Sequence, residues 1–374
     1  MLWERLLFRK LLGQEPPGIN EERCLNRAIY PVSCRLCVVS CPHNALAVSK
    51  SKSTGRSKIY LHTHRCRGCY FCVRTCPTRV FSPRSCEYYQ RFREIAVRKH
   101  PVIGCVHANQ KTEITFPCIF SIDPDFLFAV ALKMAEEKKS FCFYMGECRT
   151  CSYFKFHPHS RFIQTVKKIS ELLKAANAHA SLELLWTREE VAARVTRFSR
   201  RGLLQQLQQG TRKTLKEAAE DLFPSQGGSS LSAGKQLFLI QLKAYSGQIF
   251  YHLAPRVFRK LKVDPDRCNG CGVCVKSCHF HALQKERTPG KEAAFQLYYA
   301  PWRCVHCGAC REACPRDAIK STIFYQTDEK LFETSLLINL ERKKCKKCGR
   351  YFVLPGEKET CTTCLKKSTV RLSS

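Results

Sequence analysis

Four runs of cysteine in this chain have the spacing of metal ligands. Cys66, Cys69, Cys72 and Cys76 read C-x2-C-x2-C-x3-C, as do Cys268, Cys271, Cys274 and Cys278, and Cys304, Cys307, Cys310 and Cys314. A fourth run holds only Cys34, Cys37 and Cys41, and Pro31 stands where its first cysteine would fall. Proline follows Cys41, Cys76 and Cys314, whereas His279 follows Cys278. Thiolates are soft, anionic ligands, and closely spaced ones let a single loop wrap one metal centre. Cysteine accounts for 26 of 374 residues. That density belongs to disulfide frameworks only in short secreted chains. The opening MLWERLLFRKLLG has charges inside its apolar run and no small-residue cleavage site, so it does not read as a secretory signal. No apolar run nears the length of a membrane span. The expected setting is a reducing cytoplasm, with thiolates serving as metal ligands.

The runs come in pairs. RCRGCYFCVRTCP at 65–77 aligns with RCVHCGACREACP at 303–315, and SCRLCVVSCPHNAL at 33–46 with GCGVCVKSCHFHAL at 270–283. One unit therefore occurs twice, with unrelated sequence between the copies. The expected fold class is α+β multidomain, with two cysteine-rich modules, at 20–90 and 259–326, flanking a small α/β domain at 95–186. In that domain HPVIGCVH, EITFPCIF, SFCFYM and SLELL read as short strands, and 123–139 and 160–178 as helices. Strands alternating with helices imply a mostly parallel sheet. A basic helical connector fills 187–258. It has Thr187 and Glu190 as a capping box and PSQGGSSLSAG at 224–234 as a flexible hinge. An amphipathic helix is expected at 1–19, to lie on a membrane surface or dock on a partner. A cysteine-bearing tail is expected at 340–368.

The two modules resemble the bacterial ferredoxin that holds two [4Fe–4S] clusters. In that family three close cysteines wrap one cubane and the fourth crosses to the other. The resemblance implies that Cys268, Cys271, Cys274 and Cys314 hold one cluster, and Cys304, Cys307, Cys310 and Cys278 a second. It implies Cys66, Cys69, Cys72 and Cys41 for a third. Cys34, Cys37 and Cys76 are then one thiolate short. Cys24 lies ten residues before Cys34, and a looped-out segment would return it to the empty iron. A three-iron or otherwise liganded cluster, or loss of the site, are the alternatives. The implied cofactors are three to four [4Fe–4S] clusters.

In the α/β region, Cys105 and Cys118 fall near strand ends, and Cys148 and Cys151 follow a strand in GECRTCSYF. Loops after parallel strands converge at one sheet edge. The run from FPCIFSIDPDFLFAVAL to FYMGECRTCSYF is similar to the iron–sulfur delta-subunit family associated with hydrogenases and heterodisulfide reductases. There a Pro-Cys strand, an Asp-Pro helix start and a Gly-x-Cys-x-x-Cys loop contribute to a [2Fe–2S] site. This chain has Cys105 alone where that family tends to have a cysteine pair. The readings are a [2Fe–2S] or other cluster, a redox-active Cys148–Cys151 pair, or structural thiols. Cys142 reads as a core residue, and Cys86 has no partner at ligand spacing. The tail has Cys345, Cys348, Cys361 and Cys364 in two C-x2-C knuckles, which suit tetrahedral zinc. CKKCGRYF resembles a zinc-ribbon knuckle. A rubredoxin-like iron site has similar spacing, but CTTCLK lacks that family's Pro and Gly.

Lys and Arg number 63 against 31 acidic residues, a formal net charge of +32. Four thiolate-bound cubanes at roughly −2 each bring the balance to about +24. Basic residues crowd the cysteines, as in CVRTCPTR and CREACPR. They compensate anionic clusters, or steer the chain to an acidic redox partner, an anionic membrane surface or nucleic acid. The sequence has no G-x-G-x-x-G, G-x4-G-K-[ST] or C-x3-C-x2-C loop, so nucleotide-cofactor and radical S-adenosylmethionine chemistry are not expected. No residue reads as catalytic. The expected function is iron–sulfur electron transfer in the cytoplasm, as a subunit or partner of a larger oxidoreductase without its own substrate site. Peripheral contact at the inner membrane surface fits the basic charge. The alternative is a redox-sensing regulator that binds nucleic acid.

Overall fold

The computed structural model describes residues 15–27, 33–50, 57–83, 88–151, 159–175, 180–194, 231–244, 258–286, 295–323, 331–340, 343–352, 359–361 and 364. Residues 1–14 of the expected N-terminal helix, Pro31, Cys86, residues 195–230 of the connector and 365–368 of the tail lie outside them. The described residues form two compact units, 15–244 and 258–364.

The first unit opens with β1 (Gly18–Ile19), α1 (Leu36–Val39), β2 (Leu46–Lys50), β3 (Ser57–Leu61), α2 (Phe71–Thr75) and β4 (Phe81–Ser82). β1 pairs antiparallel with β4, and β2 with β3. Along β3, Ser57 and Ile59 point inward while Lys58 and Tyr60 face solvent, the two-residue period of a half-buried strand. α3 (Tyr88–Ala96) then leads into β5 (Val102–Cys105), β6 (Ile114–Phe116), α4 (Pro124–Glu136), β7 (Phe141–Tyr144), α5 (His159–Ala175), β8 (Leu182–Leu185) and α6 (Arg188–Arg194). The four strands are parallel, in the order β6-β5-β7-β8. All of Phe141–Tyr144 is buried, as in a parallel sheet covered on both faces. The strands and helices expected between 95 and 186 are present. At Thr187 the capping box forms: the Glu190 N–H donates to Thr187 Oγ1 at 3.2 Å, and the Thr187 N–H to Glu190 Oε2 at 2.9 Å.

α4 fixes the rest. Asp123 caps it by accepting the Asp125 N–H at 3.0 Å, and Pro124 takes the first-turn place where a missing N–H costs nothing. From Phe126 to Ala135 it is buried nearly all round, so it needs cover on both sides. The sheet gives one cover and α7 (Ala233–Ala244) the other, with Phe128 and Phe238 ring centroids 5.8 Å apart. This corrects the expected hinge. Residues 231–234 are no hinge, and where the sequence reads only as a basic helical connector its last described helix packs into the core, with Leu237, Phe238, Leu239 and Leu242 buried. Gly234 is the physical reason: a Cβ there would lie 2.9 Å from Asp123 Oδ2, so glycine marks a close approach rather than slack.

Arg79 joins the first module to the α/β domain. Arg79 Nη2 lies 3.0 Å from Asp123 Oδ1 and 3.5 Å from Asp125 Oδ2, and Lys235 Nζ from α7 is 3.8 Å from Asp125 Oδ1. Burial works against the Arg79 charge, and the two carboxylates outweigh it, so its pKa is raised.

The second unit repeats the module. β9 (Arg259–Val263) pairs with β12 (Ile319–Ile323), and β10 (Leu283–Glu286) with β11 (Phe295–Tyr299). Between them lie α8 (Val273–Lys276) and α9 (Ala309–Glu312). β13 (Ser335–Leu340) adds a third antiparallel strand beside β11, and β14 (Lys343–Lys344) pairs with β15 (Tyr351–Phe352) in the tail.

Removing one partner of a buried ion pair strands the other charge, at about 3–5 kcal/mol. Arg79→Met is expected to lower the unfolding free energy by that much. The Arg79→Met/Asp123→Leu double variant is expected to recover part of the loss, in urea unfolding followed by circular dichroism.

Candidate metal centre

Cys41, Cys76, Cys278 and Cys314 each open the same turn. The N–H three residues on, from Asn44, Arg79, His281 or Asp317, donates to the cysteine carbonyl at 3.1–3.3 Å. Each of those residues has a left-handed φ between 47° and 56°. The following N–H then reaches the sulfur: Ala45 to Cys41 Sγ at 3.3 Å, Val80 to Cys76 Sγ at 3.4 Å, Ala282 to Cys278 Sγ at 3.2 Å and Ala318 to Cys314 Sγ at 3.3 Å. A donated N–H favours the thiolate. The turn behind His279 is the same as those behind the prolines.

A second device shapes the three-cysteine loops. The residues on either side of Cys69, Cys271 and Cys307 are also left-handed: Gly68 and Tyr70, Gly270 and Gly272, His306 and Gly308. Two such residues around one cysteine curl the loop so that its thiols converge. Tyr70 and His306 hold that shape with a Cβ, at about 1–2 kcal/mol each. The N-terminal run lacks the device, since Arg35 after Cys34 has φ −127°.

The thiols gather in crossing sets. Burial, then the charges of Cys41 and Cys66, push Cys69 up to about 12. Burial, then Cys69, Cys66 and Cys41, raise Cys72. Cys274 is driven to about 12 by burial, with Cys268, Cys271 and Cys314 adding to it. Cys307 is driven to about 11 by burial, with Cys278 and Cys304 adding to it. These three sets line open pockets of about 340, 350 and 360 Å³. Among the described residues, the tail cysteines are the one group of potential ligands whose atoms all lie within 4.8 Å of one another. The sets in the modules are wider, which fits a polynuclear cluster with one thiolate on each iron rather than a single ion.

Cys24 lies with the fourth set. It is only 7% exposed, and its thiol is raised by burial and by Cys76 and Cys34. Cys37 is driven to about 12 by burial and by Cys76, Cys24 and Cys34. Asn26 folds the segment back: its Nδ2 donates to the Cys34 carbonyl at 2.6 Å, and its Oδ1 accepts the Cys34 N–H at 2.9 Å. Glu21 Oε1 accepts the Ile59 N–H from β3 at 3.1 Å. The sequence pointed to Cys24 but not to Asn26, since a side-chain clamp has no spacing signature.

The remaining cysteines divide in two. Cys105 ends β5, Cys118 follows β6, and Cys148 and Cys151 follow β7, so three adjacent strands deliver all four to one sheet edge. Burial raises Cys118, with Cys105, Cys69 and Cys148 adding to it, and Cys148 rises to about 12 through burial, Cys105 and Cys151. Cys142 is fully buried within β7. In the tail, Cys348 Sγ and Cys361 Sγ are 3.7 Å apart. Ligands at about 2.3 Å in a tetrahedron lie about 3.8 Å apart, so these four residues fit a zinc-sized ion. The Cys361 N–H donates to Cys345 Sγ at 3.2 Å and is the main cause of that thiol falling to about 6.

Residues 32–80 and 258–318 match the family model described as a 4Fe-4S dicluster domain. No curated protein matches the chain. The matched stretches fall on the two modules, which are therefore similar to that domain and support [4Fe–4S] clusters there. Cys24 lies before the first matched stretch.

Cys24→Ser is expected to lower the iron content by about one cluster, roughly four atoms per chain, in colorimetric iron analysis. The metal-free chain is expected to lose stability in alkali. Its buried thiols hold their protons to about 11 or 12, whereas unfolded thiols ionise near about 8.5. Above that pH the unfolded state binds fewer protons and stability falls. The urea midpoint of metal-free chain should therefore drop from about pH 8 to about pH 10.

Proposed function

We propose that this protein is an electron-relay subunit, passing single electrons between its clusters and an acidic partner within a larger oxidoreductase. One observation carries the reading: the same crossing turn, with the same N–H to sulfur bond, is built four times in two domains. A bound cubane supplies one-electron oxidation and reduction with no bond made or broken. The chain does the rest. Burial disfavours extra negative charge, and N–H donors and basic side chains favour it, so together they set the potential. Cys274 belongs to one set of the second module and adds charge at Cys310 of the other, so the two sets adjoin. Cys271 is exposed at the rim of its pocket. Arg316 and Lys285, also exposed, stand beside that loop. A basic rim around an exposed ligand suits a negatively charged partner. Among the described residues no helix is long and apolar enough to cross a membrane. The tail holds a structural zinc ion in this reading.

The test is kinetic. Anaerobically reconstituted chain, reduced with dithionite, is expected to reduce an acidic electron-carrier protein at a rate falling about tenfold or more between low salt and about 0.5 M salt. Arg316→Glu with Lys285→Glu should slow it at low salt. A salt-independent rate contradicts the acidic partner, and a chain with no reducible signal contradicts the relay.

A further inference from the structure

We infer that the outer face of the β9–β12 strand pair, with Lys260, Lys262 and Lys320, is where an acidic protein partner docks to exchange electrons with the site of Cys268, Cys271, Cys274 and Cys314. The inference rests on the relay reading of the modules and names the docking surface which that reading needs.

The register makes the patch. β9 and β12 run antiparallel, with Lys262 directly opposite Lys320 and Lys260 opposite Thr322. Opposed residues share a face, as do alternate residues along a strand. The three lysines and Thr322 therefore stand on one side of the pair. Lys262 and Lys320 are both exposed. Opposed side chains start about 5 Å apart, and like charges there are destabilising. Among the described residues no carboxylate pairs with either ammonium. Asp317, close by in sequence, is engaged by Arg267 at 3.1 Å.

The repeat supplies an internal comparison. Lys320 lies six residues after Cys314, as Ser82 lies six after Cys76. In the first module the corresponding pair is β1–β4, two residues long in each strand, and Ser82 stands opposite Gly18. The same module is thus built without the lysines, so its fold does not demand them. Like charges kept opposite one another, at a cost to the sheet, are explained by a negative surface that covers them.

The inner side of the same strands faces the metal site. Val263 and Ile319, opposed one step along the ladder, line the pocket of Cys268, Cys271, Cys274 and Cys314. The Ala318 N–H donates to Cys314 Sγ at 3.3 Å, two residues before Lys320. One layer of strand therefore separates a partner on the lysine face from a ligand sulfur. Exposed Arg316, between Cys314 and β12, carries the basic surface to the pocket. Brief electron-transfer encounters use small interfaces guided by complementary charge. A single-stranded nucleic acid would use aromatic rings for stacking, and this face has none. In the encounter one electron leaves the reduced site, oxidising it by one unit, and reduces the partner by one unit. No bond forms or breaks.

The experiment uses the full chain, reconstituted anaerobically and reduced with dithionite, mixed in stopped flow with an acidic b-type cytochrome or a basic c-type cytochrome. The variants are Lys262→Glu, Lys262→Glu/Lys320→Glu, Lys262→Gln/Lys320→Gln, and Lys58→Glu on exposed β3 of the first module. All are expected to keep the iron and the reduced spectrum of wild type. The double Glu variant should react about tenfold or more slowly with the acidic cytochrome at low salt, and no more slowly with the basic one. The double Gln variant should fall between, and Lys58→Glu should match wild type. Lys262→Glu alone should slow the acidic cytochrome yet raise the thermal midpoint, because it turns a like-charge pair into an opposite one. Equal slowing with both cytochromes, or equal slowing by Lys58→Glu, would overturn the docking face. So would an unchanged rate in variants that lose binding to duplex DNA or to anionic vesicles. A reducible chain whose rate ignores these lysines would sink this inference alone. A wild-type chain with no reducible signal would defeat the relay reading first, and this inference with it.

Discussion

The buried ion pair between Arg79 and Asp123 is the constraint on which the first unit depends. Arg79 stands three residues after Cys76, and its left-handed backbone lets the Val80 N–H reach the Cys76 sulfur. Its guanidinium leaves that turn and meets Asp123, whose carboxylate also caps α4. Lys235 of α7 completes the group through Asp125. Two carboxylates and two cations are buried together, so no charge is stranded. A ligand turn, a helix N-terminus and a distant helix are therefore placed by one group of charges. Cys118 lies only five residues before Asp123, so its position relative to the first module is set by the same pair.

A second constraint is the accumulation of negative charge on buried sulfur. Burial first and neighbouring thiols second raise Cys37 in the first module and Cys274 in the second. The four crossing turns answer with a backbone N–H at each crossing sulfur. The +32 formal charge answers at longer range. Metal binding removes the protons and supplies the missing positive charge, so ligation and completion of the fold are coupled.

The parts of this architecture written in local pattern were legible. Apolar four-residue strands between turn residues gave the α/β domain, and Asp123 before Pro124 gave the start of α4. Cysteine spacing gave the crossing sets by resemblance. What was not legible depends on contacts between distant segments. A glycine- and serine-rich stretch reads as slack by composition, yet Gly234 is small because Asp123 lies against it. Leu237 to Leu242 looked like part of a basic helix because nothing local shows that α4 needs a second cover. Asn26 has no motif, because its role is to pair with both backbone groups of Cys34.

That both modules hold two cubanes on four thiolates each, despite proline at position 31, is tested most directly by Mössbauer spectroscopy of the full chain reconstituted with 57Fe. The expected spectrum contains cubane contributions from four sites, about sixteen iron atoms in the two modules, with no three-iron component. A three-iron cluster, or a first module with half the cubane iron of the second, would contradict the placement of Cys24 as a ligand.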